Sequence, residues 1–301
     1  MNISDQLKDK GVEVASHIFE ELKKGNKHGI ELAEAYVKEL IEEVKNRGDK
    51  DQSYLTLLPV KNMDNYTAVH SINVTIISII FGFKLNMDND QMFELGMGAL
   101  LHDMGKINTP DHLLWQQEGA DDYEKTTIAE HPKFGAHWLS TNSMLTDSII
   151  EIIKHHHEDY NGNGYPAGIK NSLLSETVKI VALVNWYEFL TSDFSSKPAI
   201  SAREACFKIS KESSKKFSQK ISSSFLSIMG PMLLDGPIFP KKTLILLNTK
   251  EIAAVLNTRN FSDIMPEILV ITNPQGKKLE RPLKVDLKND DHRFILKILQ
   301  S

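Results

Sequence analysis

Leu100-Leu101-His102-Asp103-Met104-Gly105-Lys106 is the stretch on which the reading of this chain turns. It closes an apolar, helix-spaced segment over residues 91–101. An adjacent His and Asp on a helix project about 100° apart, so the two can approach one cation from different sides. The carboxylate has two oxygens and can bridge to a second cation. Gly105 suits the left-handed position just past a helix end, which sets Lys106 at the rim of the site.

Upstream, His70 shares a helical face with Val74 and Ile77 in a strongly apolar segment, and a buried imidazole needs a hydrogen bond or a metal. Downstream, His131 precedes Pro132; proline favours the first helical turn, so His131 is expected at a helix entrance, facing a cavity. Then His155-His156-His157-Glu158 leads into Asp159-Tyr160-Asn161-Gly162-Asn163-Gly164-Tyr165-Pro166. Each histidine alone reads as a structural residue. The ordered set supplies imidazole and carboxylate ligands for two divalent ions. Two such ions side by side can clamp a phosphodiester and activate water, which points to a phosphohydrolase.

Composition fits this reading. The chain has 301 residues, 41% hydrophobic and 25% charged, which is ordinary globular usage and excludes wholesale disorder or a membrane-embedded fold. The apolar run at 74–83 falls short of the ~20 residues of a bilayer span, and residues 1–10 lack a signal-peptide core. The expectation is a cytoplasmic protein with no membrane partner. The single Cys206 agrees with a reducing compartment and reads as a small buried residue. A formal charge of -5 gives no basic face for polymeric nucleic acid, while a small nucleotide remains an eligible ligand.

Along the chain, Ile30, Ala33, Val37, Leu40, Ile41 and Val44 follow helical spacing, with polar turns at 26–29 and 47–51, predicting an N-terminal helical unit over residues 1–60. Helical texture continues through 61–235, where most histidines lie. The Ser- and Lys-rich stretch 210–224 reads as a solvated helix face or loop. Over 236–301 the texture changes to short apolar runs at 244–247, 252–256 and 268–271, with a turn at Asn273-Pro274-Gln275-Gly276, predicting a small β meander.

The motifs together resemble the HD-GYP family of HD-domain metal-dependent phosphohydrolases. The resemblance runs through Tyr66-Thr67-Ala68-Val69-His70-Ser71, the His102-Asp103 stretch, His131-Pro132 with Gly135, and His156-His157-Glu158 with Gly162-Asn163-Gly164-Tyr165-Pro166, covering about residues 60–200. It implies a mainly α fold, an HD-domain helical bundle, and hydrolysis of cyclic di-GMP to linear pGpG or GMP with two divalent ions, iron or manganese. It also implies that His70 and His102 serve one metal, that Asp103 bridges, and that His131, His156 and His157 hold the second. Lys106 would contact substrate phosphate or position the water, and Tyr165 would pack or stack against a base. Glu158 would orient a histidine or form a simple ion pair.

Three positions depart from the family pattern. Asn185 stands where a metal-binding Asp is expected, so the first metal should bind more weakly. Tyr66 stands where an acidic residue accompanies a third metal in some members, so two ions are expected. Phe194-Ser195-Ser196-Lys197 replaces an Arg-rich segment, leaving Lys197 as a partial substitute in substrate binding. These departures keep open a catalytically weak or silent cyclic-dinucleotide-binding module, with a signalling partner or homodimer as its output. A plain HD enzyme acting on another phosphate, such as a nucleoside monophosphate, is a third reading.

Overall fold

The computed structural model describes residues 3–26, 28–48, 55, 57, 58, 66–109, 113, 121–140, 145–193 and 198–300. They divide into two compact units, Met1–Ser201 with Glu212–Ser222, and Ala202–Lys211 with Ser223–Ser301. The N-terminal helices belong to the same compact unit as the histidine-bearing helices.

The first unit is helical. In α2 (His28–Arg47) the residues Ile30, Ala33, Val37, Leu40, Ile41 and Val44 are all buried, as their spacing predicts. α2 packs on α1 (Asp5–Lys23), and both pack on α3 (Tyr66–Lys84). Among the described residues α3 is the one helix long and apolar enough to cross a membrane, yet 89% of its apolar window is buried within the protein. Its isoleucines 72, 76, 77, 79 and 80 are fully covered, each burial contributing roughly 1.5–3 kcal/mol. That anchors His70 on a rigid core element.

α4 (Asn89–Leu101) starts at a capping box in which Asp88 accepts from the Gln91 amide and the Gln91 side chain accepts from the Asp88 amide. It packs along α3 and ends at His102. α5 (Asp122–Ala129), also opened by a capping box at Asp121, is followed at once by α6 (His131–Leu139), with Pro132 in the first turn of α6 as expected. α7 (Asp147–His155), capped by Thr146, packs against α4 and α6; α8 (Glu176–Thr191), capped by Ser175, packs against α3, α4 and α7.

The second unit holds α9 (Ala202–Lys211) and a five-stranded antiparallel sheet in the order β4-β3-β2-β1-β5. β1 (Leu244–Leu247), β2 (Ile252–Asn257) and β3 (Glu267–Thr272) fall on the predicted runs, joined by β4 (Lys278–Asp286) and β5 (Ile295–Gln300). Period-two alternation buries Ile245, Leu247, Ala253, Val255, Ile268 and Val270, with Ile245 opposite Ala253 and Ala253 opposite Val270. The predicted turn joins β3 to β4: the Asn273 side chain accepts from the amides of Gln275 and Lys277, and Gly276 takes the left-handed conformation at φ 79°.

Candidate metal centre

The ligand set is assembled from helix ends. The last carbonyls of a helix have no intrahelical donor, and three histidines use them. His102 Nδ1 donates to Ala99 O (2.7 Å) at the end of α4, His131 Nδ1 to Ile128 O (2.7 Å) at the end of α5, and His156 Nδ1 to Ile153 O (2.8 Å) at the end of α7. A carbonyl only accepts, so each Nδ1 carries a proton, and in the neutral ring that tautomer leaves Nε2 with the lone pair. His70 reaches the same state differently: its Nδ1 meets the Glu188 carboxylate from α8.

The free nitrogens converge. His70 Nε2 lies 3.2 Å from His102 Nε2, and His131 Nε2 lies 3.3 Å from His156 Nε2. Two lone pairs facing each other repel unless a cation lies between them. With metal–nitrogen bonds of about 2.1 Å, neighbouring ligands at a right angle lie about 3.0 Å apart.

Asp103, 1% exposed, sits between the pairs. Its Oδ2 is 3.6 Å from His70 Nε2 and 3.5 Å from His102 Nε2; its Oδ1 is 3.2 Å from His131 Nε2 and 3.9 Å from His156 Nε2. Among the described residues Oδ1 is buried with no hydrogen-bond donor, a costly state that an ion would relieve. Two sets could therefore hold a metal, His70 with His102 and Asp103, and His131 with His156, His157 and Asp103; within each set the donor atoms lie within 4.8 Å of one another. The donor set fits hard-to-borderline divalent cations.

Burial opposes the charge on Asp103, but the Lys106 ammonium, whose Nζ lies 2.5 Å from Oδ2, holds the carboxyl well below its usual range. Burial pushes His102 down to about 4, and burial followed by neighbouring imidazoles holds His156 and His157 well below the ordinary histidine value. All three are neutral at pH 7, the form that binds metal.

The glycine after the motif does something other than expected. Gly105 lies inside a 3-10 turn, Met104–Asn108, and is not among the glycines with positive φ. Its role is close approach: a Cβ there would sit 1.8 Å from His131 O and 2.7 Å from Gly135 N, so only glycine lets the motif touch α6. Gly164 has a similar task, since a Cβ would fall 2.2 Å from Asp159 N.

Tyr165 stacks on His157 with ring centres 4.6 Å apart and planes 19° apart, so one face of the phenol packs a candidate ligand. Glu158 clamps the loop, accepting the amides of Ala167 (2.7 Å) and Ile169 (2.9 Å). His155 stands outside both sets, its Nδ1 3.6 Å from Glu158. Tyr66 stacks on His70 at 5.7 Å with planes 7° apart.

The centre opens into a cavity of about 390 Å³, with Tyr66, Lys106, Tyr165 and Asn185 in its walls beside the histidines. The Asn185 side chain makes no hydrogen bond among the described residues and lines the cavity. Lys197 lies outside the described residues.

Sequence reading missed several contributors. Glu188 is fully buried, accepts from Asn73 (3.0 Å) and Ser192 (2.6 Å) as well as meeting His70, and is held below its usual range because His70 and these donors outweigh the burial that opposes its charge. Its signal was position: three residues past Asn185, on the same helical face. The stretch 210–224, read as solvated, is a helix end, a tight turn and a helix start; Phe217 within it is 4% exposed and lines the cavity with Lys216. One aromatic in a polar run leaves no periodic trace.

Residues 37–221 match the HD domain family. The chain belongs to that family. Its second unit matches, over residues 244–301, a KOW domain associated with HD domains. The HD domain carries the HD-GYP signature read from its motifs. The chain is 28% identical over 223 residues to cyclic di-GMP phosphodiesterase PA4108 of Pseudomonas aeruginosa, covering 74% of this chain and 52% of that protein. It is 24% identical over 217 residues to cyclic di-GMP phosphodiesterase PdeB of Borreliella burgdorferi, covering 72% of this chain and 55% of that protein. The chain thus spans about half the length of these curated relatives. Among solved structures it shares its fold with Bd1817, a HDG"Y"P protein from Bdellovibrio bacteriovorus, at TM-score 0.55 and 21% identity over 74% of this chain and 70% of that one.

Proposed function

We propose that the chain is a metal-dependent phosphodiesterase that opens cyclic di-GMP to linear pGpG or GMP. The observation that carries this is the buried Asp103 carboxylate lying between two sets of imidazole nitrogens, beside a cavity of about 390 Å³ that His70, His131, His156 and His157 line. Similarity to named cyclic di-GMP phosphodiesterases supports the substrate.

His70, His102 and Asp103 would hold one divalent ion and Asp103, His131, His156 and His157 another, iron or manganese by their donor set, with Asn185 an added oxygen donor at the first. When bound, the ions would supply Lewis acidity at the phosphate and acidify water there. Around them the chain's residues orient and neutralise. Lys106 holds its ammonium against Asp103 and can offer a charged donor to a phosphoryl oxygen. Lys125 on the cavity wall is a second cation for the outer phosphate, in the absence of the arginine-rich segment. The phenol of Tyr165 keeps His157 in place.

A second reading, a binding module with little catalysis, is favoured by Asn185, which lacks the charge of a carboxylate. Loading the purified protein with iron or manganese without oxygen and following cyclic di-GMP by chromatography separates the two. The phosphodiesterase gives linear product that disappears with Asp103→Ala; tight binding without product supports the binding module.

A further inference from the structure

The cavity has a wall that metal chemistry leaves unused. Trp186 of α8 and Phe217 pack at 5.3 Å with their planes 52° apart, and both line the cavity. Beside them Lys216 Nζ lies 2.7 Å from Asp159 Oδ1, with 34% and 19% of the two side chains exposed, and both side chains also line the cavity. The same ammonium stands 6.0 Å from the Phe217 ring centre.

Their placement is built into the backbone. The amides of Tyr160 and Asn161 donate to Lys216 O (2.8 Å) and Lys215 O (3.0 Å), and the turn closes on itself through Ser214 N to Phe217 O (2.8 Å). The 213–217 turn is thereby fastened to the loop that follows the His156-His157 pair. The Lys216–Phe217 turn is thus held against a loop that begins just past His157.

Each member of the pair keeps hydrogen-bonding capacity. An ammonium has three donors and Asp159 occupies one; a carboxylate has two oxygens and Lys216 takes one. Guanine presents two neighbouring donors, N1–H and the N2 amine, next to the O6 acceptor. A carboxylate beside an ammonium complements that edge. Adenine presents N1 as an acceptor and N6 as its donor, so a carboxylate facing N1 meets a lone pair. Stacking on an aromatic ring gives affinity without choosing between purines.

We infer that Trp186 and Phe217 stack one base of the substrate and that the Asp159–Lys216 pair selects guanine over adenine at that position. The inference rests on the cavity being a cyclic-dinucleotide site and names what that site discriminates.

The test compares cyclic di-GMP with cyclic di-AMP, by steady-state kinetics on the metal-loaded full chain and by calorimetric binding to the metal-free chain. Wild type should favour cyclic di-GMP in kcat/KM by about tenfold or more, and Asp159→Asn should bring the ratio to within about threefold through a loss on the guanine substrate alone. Lys216→Met should show the same one-sided loss. Trp186→Ala should raise KM for both substrates about tenfold, with Trp186→Phe restoring most of it.

Equal handling of both substrates by wild type, or an equal loss on both in Asp159→Asn as a loosened loop would give, overturns the guanine assignment while leaving the phosphodiesterase standing. Guanine-preferring binding without turnover supports the assignment and removes the phosphodiesterase reading. Failure of wild type to bind or hydrolyse either compound overturns both.

Discussion

The two halves of the candidate metal centre are built by different means. The second half sets its imidazoles at helix ends, where His131 and His156 donate to backbone carbonyls rather than to a carboxylate. The first half has one such histidine, His102, while His70 comes from mid-core α3 and is backed by the buried carboxylate of Glu188. Asn185, which stands where the family resemblance implies an acid, lines the cavity and is proposed for that half. Glu188 returns a negative charge to that half through an imidazole instead of by direct ligation. Among the described residues, Asp103 alone belongs to both.

Removing the shared member breaks the comparison. Asp103→Ala should lower turnover by about 10³-fold or more and release metal from both halves, measured by chromatography of product and elemental analysis of the loaded protein. Loss of metal from one half alone would show that the carboxylate is not shared.

Acid should expose the histidines next. His102 has its folded pKa depressed to about 4, so between the unfolded value of 6.5 and that point the unfolded chain binds more protons. The slope of stability with pH is then positive, and stability falls as pH falls through that window, by up to about 3 kcal/mol for this residue. His156 and His157 act in the same direction. Thermal melts of metal-free protein should therefore drop in midpoint from pH 7 to pH 5; a flat profile would show that the imidazoles are not held neutral by burial.

Substitutions in the first half sharpen the contrast. Glu188→Gln keeps the shape but removes the charge behind His70, and should weaken metal binding at that half by about 10–100-fold while sparing the other, as read by metal titration. Asn185→Asp should do the opposite on a smaller scale, tightening the first half by about tenfold or less. Equal effects of either substitution on both halves would dissolve the distinction.

Much of this was legible in the residues. The spacing of Ile30 through Val44 predicted the buried face of α2, and the runs at 244–247 and 268–271 predicted strands, because local periodicity is a property of neighbours. The clustering of the candidate ligands was legible because His and Asp carry their chemistry in their identity. Glu188 was not, since its meaning depends on His70, 118 positions away, and an acidic residue in a helix is ordinary until a fold buries it. Gly105 was assigned the wrong constraint: its neighbour in space, His131 O, comes from another helix, and sequence spacing offers only the local explanation of a helix end. Phe217 and Lys216 were hidden in a polar stretch for the same reason.

Electron paramagnetic resonance of fully manganese-loaded protein tests the shared carboxylate most directly. The account predicts about two ions per chain with the spectrum of an exchange-coupled pair, collapsing to isolated or lost ions in Asp103→Ala. A spectrum of isolated ions in the wild-type protein at full loading, or one ion per chain, would contradict it.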